Sequence, residues 1–366
     1  MALNPSSLEK VLVRATNWLG DAVMSLPALR ALRDALPRAH LAVVARPSLA
    51  ELYAREECID RVIPYPAPKS LGERRAFAAR LRDERFDAAL LFQNAFDAAW
   101  MAWLADIPVR IGYHRDGRGP LLTHRIPVPE PGDIPRHERF YYLELLRRAG
   151  LMERFPAGDS IRLARLAEAR ASGARRLAAT GIAGPVIGIS PGAAYGNAKR
   201  WLPERFAHVG QAIRRSSEAN PRDSPAVFLL FGSPGERPLC ETVASHLQEL
   251  GLESRNLAGE TTLGAFIDLA AACRLFLTND SGAMHVASAL GVPTVAVFGA
   301  TDDSTTGPTG PLARVVREHA ECSPCLLREC PIDHRCMTRV TPETVAAAAL
   351  QLLEESAPAW THEARS

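Results

Sequence analysis

Three observations predict an α/β chain built as two parallel sheets, each covered by helices. Short apolar runs alternate with longer amphipathic ones along most of the length, the pattern of strand–helix–strand units. That alternation stops after an amphipathic segment over 138–149 and restarts at Val186, which calls for a second sheet. The 366 residues are enough for two cores of ordinary size. The joint is expected between Arg154 and Pro185, giving domains of 1–165 and 166–366.

The elements follow in order. Val11-Leu12-Val13-Arg14-Ala15 reads as the first strand, and 22–36 as a helix with Met24, Leu26, Leu29, Leu32 and Leu36 near 3.6 spacing. Strands at 41–45, 61–65 and 88–92 follow, separated by helical segments. In the second half, Val186-Ile187-Gly188-Ile189-Ser190 opens the pattern, and strands at 227–231, 275–277 and 295–298 continue it. The last helix, 342–355, is expected to pack back across the joint onto the first domain.

Composition narrows the function. Hydrophobic residues make up 47% and charged residues 23%, with a net charge of +2. No run approaches the roughly 20 apolar residues that span a bilayer. The N-terminus lacks the basic flank and apolar core of a signal peptide. Seven cysteines, an odd number, fit a reducing compartment, so a cytoplasmic protein is expected. Charge is uneven: the balance is +5 through Arg165 and −3 beyond it. Arg74, Arg75, Arg80, Arg82 and Arg85 read as a solvated helix face. Arg110, Arg115, Arg118 and Arg125 surround a Gly-rich loop that reads as an anion-facing surface. With no aromatic interleaving and no strongly basic domain, nucleic acid is not an expected partner.

The most informative stretch is Leu277-Thr278-Asn279-Asp280-Ser281-Gly282-Ala283-Met284-His285, followed by the apolar run of 292–298. It reads as strand, tight turn, helix and strand, with Asp280 or Ser281 as the helix cap. A helix N-terminus at the carboxyl end of a parallel strand is prepared for a phosphate or diphosphate; the plain alternative is a cap that merely starts a helix. Neither Gly-x-Gly-x-x-Gly after a strand nor the P-loop motif is present, which excludes the usual nicotinamide and P-loop kinase designs and leaves a nucleotide-sugar transferase.

Three segments carry a resemblance. Asn17-Trp18-Leu19-Gly20-Asp21-Ala22-Val23-Met24, Ser190-Pro191-Gly192-Ala193-Ala194-Tyr195-Gly196-Asn197-Ala198-Lys199-Arg200-Trp201 and the Asn279 to His285 stretch resemble, in order and spacing, the signatures of the glycosyltransferase family 9 heptosyltransferases. The resemblance implies a GT-B fold, with two Rossmann-like domains facing an interdomain cleft. The first domain would bind the acceptor and the second the nucleotide sugar. The reaction implied is inverting transfer of L-glycero-D-manno-heptose from ADP-heptose to the first heptose of the lipopolysaccharide inner core. Transfer to a different acceptor, and a binding module without turnover, remain as alternatives. The presence of both Asp21 and Lys199 argues against the latter.

Roles follow by the same resemblance. Asp21 matches the base that takes the acceptor hydroxyl's proton; the alternative is a cap for the helix at Ala22. Lys199 matches the cation that meets the charge on the departing ADP, with Arg200 as its alternative. The amides of Ser281, Gly282, Ala283 and Met284 would hold the diphosphate, and Asp280 a heptose hydroxyl. His285 is either a phosphate contact or a packed core histidine. Glu236 matches the ribose-binding position, and Thr261 and Thr262 fall where adenine is expected. No Asp-x-Asp arrangement is present, so no metal or other cofactor is expected in the reaction. Separately, Cys322, Cys325, Cys330 and Cys336, with His334 among them, weigh between a structural zinc site and simple structural thiols. The expected acceptor is a membrane-anchored lipid A–Kdo–heptose. Acceptor contacts are expected from loops 69–85 and 114–125. Arg115, Arg118 and Arg125 would bring the chain to the cytoplasmic face of the inner membrane.

Overall fold

Among the described residues, twelve strands form two sheets of six, parallel throughout. The computed structural model describes residues 3–158, 160–182, 184–218 and 225–363. The chain divides into Met1–Gly158 and Asp159–Ser366, seven residues earlier than the 165/166 boundary expected from sequence. The cause is local. The Ile161 amide donates to Thr309 Oγ1 at 2.8 Å and the Leu163 amide to the Ala289 carbonyl at 2.9 Å, so this stretch belongs to the second unit.

The first unit runs β1 (Lys10–Arg14), α1 (Leu19–Ala35), β2 (His40–Ala45), α2 (Ala50–Tyr53), β3 (Arg61–Pro64), α3 (Leu71–Asp83), β4 (Ala88–Leu91), α4 (Phe96–Leu104), β5 (Val109–Tyr113), β6 (His124–Ile126) and α5 (Arg139–Arg148). The sheet order is β3-β2-β1-β4-β5-β6. Strands covered on both faces read as unbroken apolar runs, and β1, β2 and β4 do. Leu12, Ala42, Val44, Ala89 and Leu91 meet Phe77 and Leu81 of α3 and Ala99 and Ala102 of α4 in one core. The helix α1 packs against α5.

The second unit runs α6 (Leu166–Ala179), β7 (Val186–Ser190), α7 (Pro203–Glu218), β8 (Val227–Leu230), α8 (Arg237–Glu249), β9 (Ser254–Asn256), α9 (Leu263–Ala271), β10 (Leu275–Asn279), α10 (Gly282–Ala289), β11 (Thr294–Val297), α11 (Asp303–Thr306), β12 (Ala313–Val316), α12 (Arg335–Thr338) and α13 (Pro342–Glu363). Its order, β12-β11-β10-β7-β8-β9, repeats that of the first sheet: the first strand lies beside the fourth in both. Where α6 crosses α9, a Cβ on Gly173 would stand 2.0 Å from the Asp268 carbonyl oxygen, so the two helices meet backbone to backbone. Val345, Ala346, Ala349 and Leu352 of α13 join Trp201, Phe206 and Ile213 in the second unit's own core, and α13 lies along α7, β11 and β12. The last helix thus buries its apolar stripe within the second unit. No helix among the described residues is long and apolar enough to cross a membrane.

Candidate functional site

In an open parallel sheet, ligands bind beyond the carboxyl ends of the strands where the winding direction reverses. Those points are the ends of β1 and β4 in one unit and of β7 and β10 in the other. Asp21 follows β1, Lys199 follows β7, and Asp280 follows β10. The residues singled out by motif thus stand where the topology makes sites.

In the second unit, the Lys199 ammonium donates to Asp280 Oδ2 at 2.6 Å. Thr301 Oγ1 donates to the same oxygen at 2.5 Å. The lysine and aspartate side chains are only 13% and 6% exposed, so the pair interacts in a poorly screened setting and holds one arrangement. Lys199 Nζ also lies 4.8 Å from the centre of the Tyr195 ring. Asn279 ties the two switch strands together: its Nδ2 donates to the Pro191 carbonyl at 2.7 Å, and its Oδ1 accepts from the Trp201 amide at 3.1 Å.

Neither expected cap closes α10. Ser281 stands at the N-cap without a side-chain bond to the helix, its hydroxyl lying 3.1 Å from Thr278 Oγ1, and Asp280 is engaged with Lys199. The first amides, at Gly282, Ala283 and Met284, therefore keep no side-chain acceptor of this kind, and the dipole's positive end faces outward. Gly282 and Ala283 are half-buried, Met284 is fully buried, and His285 is 5% exposed within the helix. That burial gives His285 a packed position. Arg200 makes no ion pair among the described residues and leaves its Nε buried without an acceptor.

Glu236 caps the turn after β8. Its Oε2 accepts from the Ser233 amide and hydroxyl, both at 2.8 Å. A Cβ on Gly192 would stand 2.1 Å from Oε1, so glycine there lets the carboxylate lie flat on the loop after β7. The Thr262 hydroxyl accepts from the Ala265 amide at 3.2 Å and caps α9. With that hydroxyl engaged, any nucleotide contact at Thr262 falls to the backbone.

In the first unit, α1 begins three residues before the predicted start, so Asp21 lies in its first turn and Trp18 stands at the N-cap. The capping alternative for Asp21 is thereby removed. Trp18 is 53% exposed. Asp21 is also electrostatically coupled to α5. Burial raises the Glu138 carboxyl to about 7, and the Asp21 charge adds to the rise while Arg115 opposes it. The Tyr142 hydroxyl is raised by burial and then by Asp21.

The arginine expectations divide. Arg118 is fully buried: its guanidinium donates to the Tyr113 carbonyl at 2.9 Å, to Asn94 Oδ1 at 2.8 Å and to the Gln93 carbonyl. Burial lowers its pKa to about 10. It is a structural cation beneath the ends of β4 and β5, not a surface contact, because the turn at Asp116 and Gly117, both at positive φ, folds it inward. Arg115 and Arg125 are exposed; Arg115 lies 3.5 Å from Asp116, and the neighbouring Tyr141 raises its pKa. In the other cluster, Arg74 pairs with Asp97, and Arg82 pairs with Asp106 at 2.8 Å.

The zinc arrangement weighed for Cys322, Cys325, Cys330 and Cys336 is not assembled. Among the described residues no group of three or more His, Cys, Asp or Glu side chains is placed to hold a metal, and all seven thiols are free. Cys336 faces inward, its sulfur 2.9 Å from where a Cβ on Gly299 would stand, whereas Cys322 is exposed. Burial and the neighbouring thiols Cys322, Cys325 and Cys330 push the Cys336 thiol upward. Sequence reasoning missed Glu138, Thr301 and the contacts of Tyr195. Only Tyr195 carried a signal, lying inside a quoted motif.

The glycosyltransferase family 9 (heptosyltransferase) profile matches residues 74–335. Lipopolysaccharide heptosyltransferase 2 of Escherichia coli K12 is 32% identical over 315 residues, covering 84% of this chain and 88% of that protein. Lipooligosaccharide heptosyltransferase 2 of Haemophilus ducreyi is 30% identical over 330 residues, covering 84% and 88%. The solved E. coli ADP-heptose lipopolysaccharide heptosyltransferase II superposes with a TM-score of 0.78 at 29% identity, covering 95% of this chain and 99% of that one. The two parallel sheets are those of the GT-B architecture, and a glycosyltransferase is the enzyme class these likenesses support. The chain belongs to glycosyltransferase family 9, the heptosyltransferases.

Proposed function

We propose that this enzyme transfers L-glycero-D-manno-heptose from ADP-heptose to the first heptose of the lipopolysaccharide inner core, with inversion. The likeness to two heptosyltransferases 2 at 30–32% identity over 84% of the chain is the observation that carries this reading. The first unit serves the acceptor. Asp21 takes the proton from the incoming hydroxyl as its oxygen attacks the anomeric carbon. The bond from that carbon to the β-phosphate oxygen breaks, and the electron pair leaves with ADP. The second unit serves the donor: Lys199 and the open amides of α10 meet the charge that grows on the diphosphate. Asp280 holds Lys199 in place and reaches a heptose hydroxyl with its other oxygen, and Glu236 takes the ribose hydroxyls.

The chain's own residues supply these steps, and retention of activity in chelator is expected. Incubation with ADP-heptose and defined core acceptors, followed by mass analysis, tests the reading. Addition of one heptose to a Kdo–heptose acceptor supports it. Addition only to an acceptor without heptose assigns the earlier transfer instead.

The acceptor is anchored in lipid, and the chain meets it peripherally at the cytoplasmic leaflet. The first unit's positive balance supports this, with Arg115 and Arg125 the exposed cations near the carboxyl edge of β5 and β6. Each such cation contributes about 1 kcal/mol near an anionic surface and loses it to salt. Sedimentation with anionic and neutral vesicles at low and high salt tests it. Equal binding to both vesicles, or to neither, rejects it.

A further inference from the structure

The cysteine-rich segment after β12 is absorbed by none of the roles above, yet it is bound to the loop that carries Lys199. The Ala198 amide donates to the Arg328 carbonyl at 3.1 Å, the Cys330 amide to Asn197 Oδ1 at 3.2 Å, and the Tyr195 hydroxyl to the Leu326 carbonyl at 2.8 Å. On its far side the Leu326 amide donates to the Ala300 carbonyl at 2.8 Å. A Cβ on Gly196 would stand 2.0 Å from the Arg328 carbonyl oxygen, so the two loops touch backbone to backbone.

The Arg328 side chain uses this seat. Its guanidinium lies 5.3 Å from the centre of the Tyr195 ring, the ring that Lys199 approaches at 4.8 Å. The two cations therefore share one ring and are no farther apart than those two distances together. Their states differ. Lys199 is neutralised by Asp280 at 2.6 Å, whereas Arg328 is exposed and has no carboxylate in ion-pair range among the described residues. A bound diphosphate carries more charge than a lysine already shared with a carboxylate can offset. A guanidinium offers paired donors matched to phosphate oxygens.

We propose that Arg328 is a second diphosphate-binding cation, delivered to the Lys199 side of the donor site by the cysteine-rich loop. The loop's purpose is then positional: it holds one guanidinium over Tyr195 beside the charge that develops as ADP leaves. This rests on the nucleotide-sugar reading of the second unit.

Calorimetry with ADP and with adenosine, on wild type, Arg328→Gln and Arg328→Lys, tests it. Arg328→Gln is expected to weaken ADP by about tenfold, the range of a charge-assisted hydrogen bond, and to leave adenosine binding and the unfolding temperature unchanged. Arg328→Lys should recover part of the loss. Unchanged ADP binding in Arg328→Gln overturns the proposal. So does an equal loss for ADP and adenosine, which would mean that the loop rather than its charge mattered. Failure of the wild type to bind ADP at all would instead reject the nucleotide-sugar reading itself.

Discussion

In both units the chain leaves its first strand beside the fourth, at the point where the winding reverses, but it leaves in different ways. After β1 only residues 15–18 intervene before α1 begins. After β7 the chain wanders through 191–202 before α7, with one turn of 3₁₀ helix at Asn197–Lys199. The short exit fixes an acid: Asp21 is held in the first turn of a helix whose axis the sheet already defines. The long exit gathers a cation from outside, because it has room for Gly192 to pass under Glu236, for Tyr195 to receive two cations, and for another loop to dock at Gly196. On the proposed reading, one strand order serves proton removal in one unit and anion binding in the other, and the two exits differ in the length of the connection at the switch point.

The widest expected separation between the two exits is catalytic. Asp21→Asn should reduce turnover by roughly 10²–10⁴-fold while ADP binds as in the wild type. Near-normal turnover would move the base elsewhere. Lys199→Ala should instead reduce turnover and weaken ADP together, by about 10- to 100-fold. It should also lower stability, since Asp280 would be left a buried charge without its partner. Adding Asp280→Asn should restore the unfolding temperature but not ADP affinity; recovery of both would mean that the lysine serves only the fold.

A smaller effect is expected at Gly192. An alanine there meets the end of the Glu236 side chain at 2.1 Å, which can swing away. ADP should then weaken about fivefold, the worth of one ordinary hydrogen bond, with stability changed by no more than about 1 kcal/mol through loss of the Ser233 cap. Full ADP affinity in Gly192→Ala would release Glu236 from the ribose.

The subtlest test concerns the first exit alone. The Glu138 carboxyl sits at about 7 in the folded chain against a usual 4.5. Between those values the folded state holds a proton that the unfolded state has lost. Its contribution to stability therefore falls as pH rises from about 4.5 to 7. Glu138→Gln should remove this slope from the unfolding temperature across that window. Asp21→Asn should shift it toward acid, because the Asp21 charge is part of its cause. A slope identical in all three proteins would uncouple the two carboxylates.

What was legible in the sequence mostly followed apolarity, the exposed edge strand β3, read at 61–65, being the exception. The central strands β1, β2, β4, β7, β8, β10 and β11 are buried on both faces and announced themselves as runs. The strands β5, β6, β9 and β12 did not: Val109-Arg110-Ile111-Gly112-Tyr113, His124-Arg125-Ile126, Ser254-Arg255-Asn256 and Ala313-Arg314-Val315-Val316 carry polar residues at or next to sheet edges, where only part of the strand needs an apolar neighbour. Candidate site residues could be placed where a motif fixed both residue type and position, as at Asp21, Lys199 and Asp280, which stand after the switch-point strands. Arg118 was misread because a guanidinium in a Gly-rich loop looks solvent-facing until the carbonyls of Tyr113 and Gln93 are seen closing over it. Glu138 and Arg328 were invisible because their meaning lies in a contact between distant segments. Arg328 meets Tyr195 over more than a hundred intervening residues, and no local spacing records that.

The double anchorage of the Lys199 loop bears on the speed of binding. From below, the Trp201 indole donates to the Val340 carbonyl at 3.0 Å and its amide is held by Asn279; from above, the cysteine-rich loop holds Asn197, Ala198 and Tyr195. Neither anchor waits for a ligand, so the conformational freedom of that loop is surrendered during folding rather than at association. On the proposed reading, ADP then meets a surface already in its receiving shape. Stopped-flow association should rise linearly with ADP concentration, without the plateau that a slow rearrangement would impose, and affinity should be tuned by how fast the nucleotide departs.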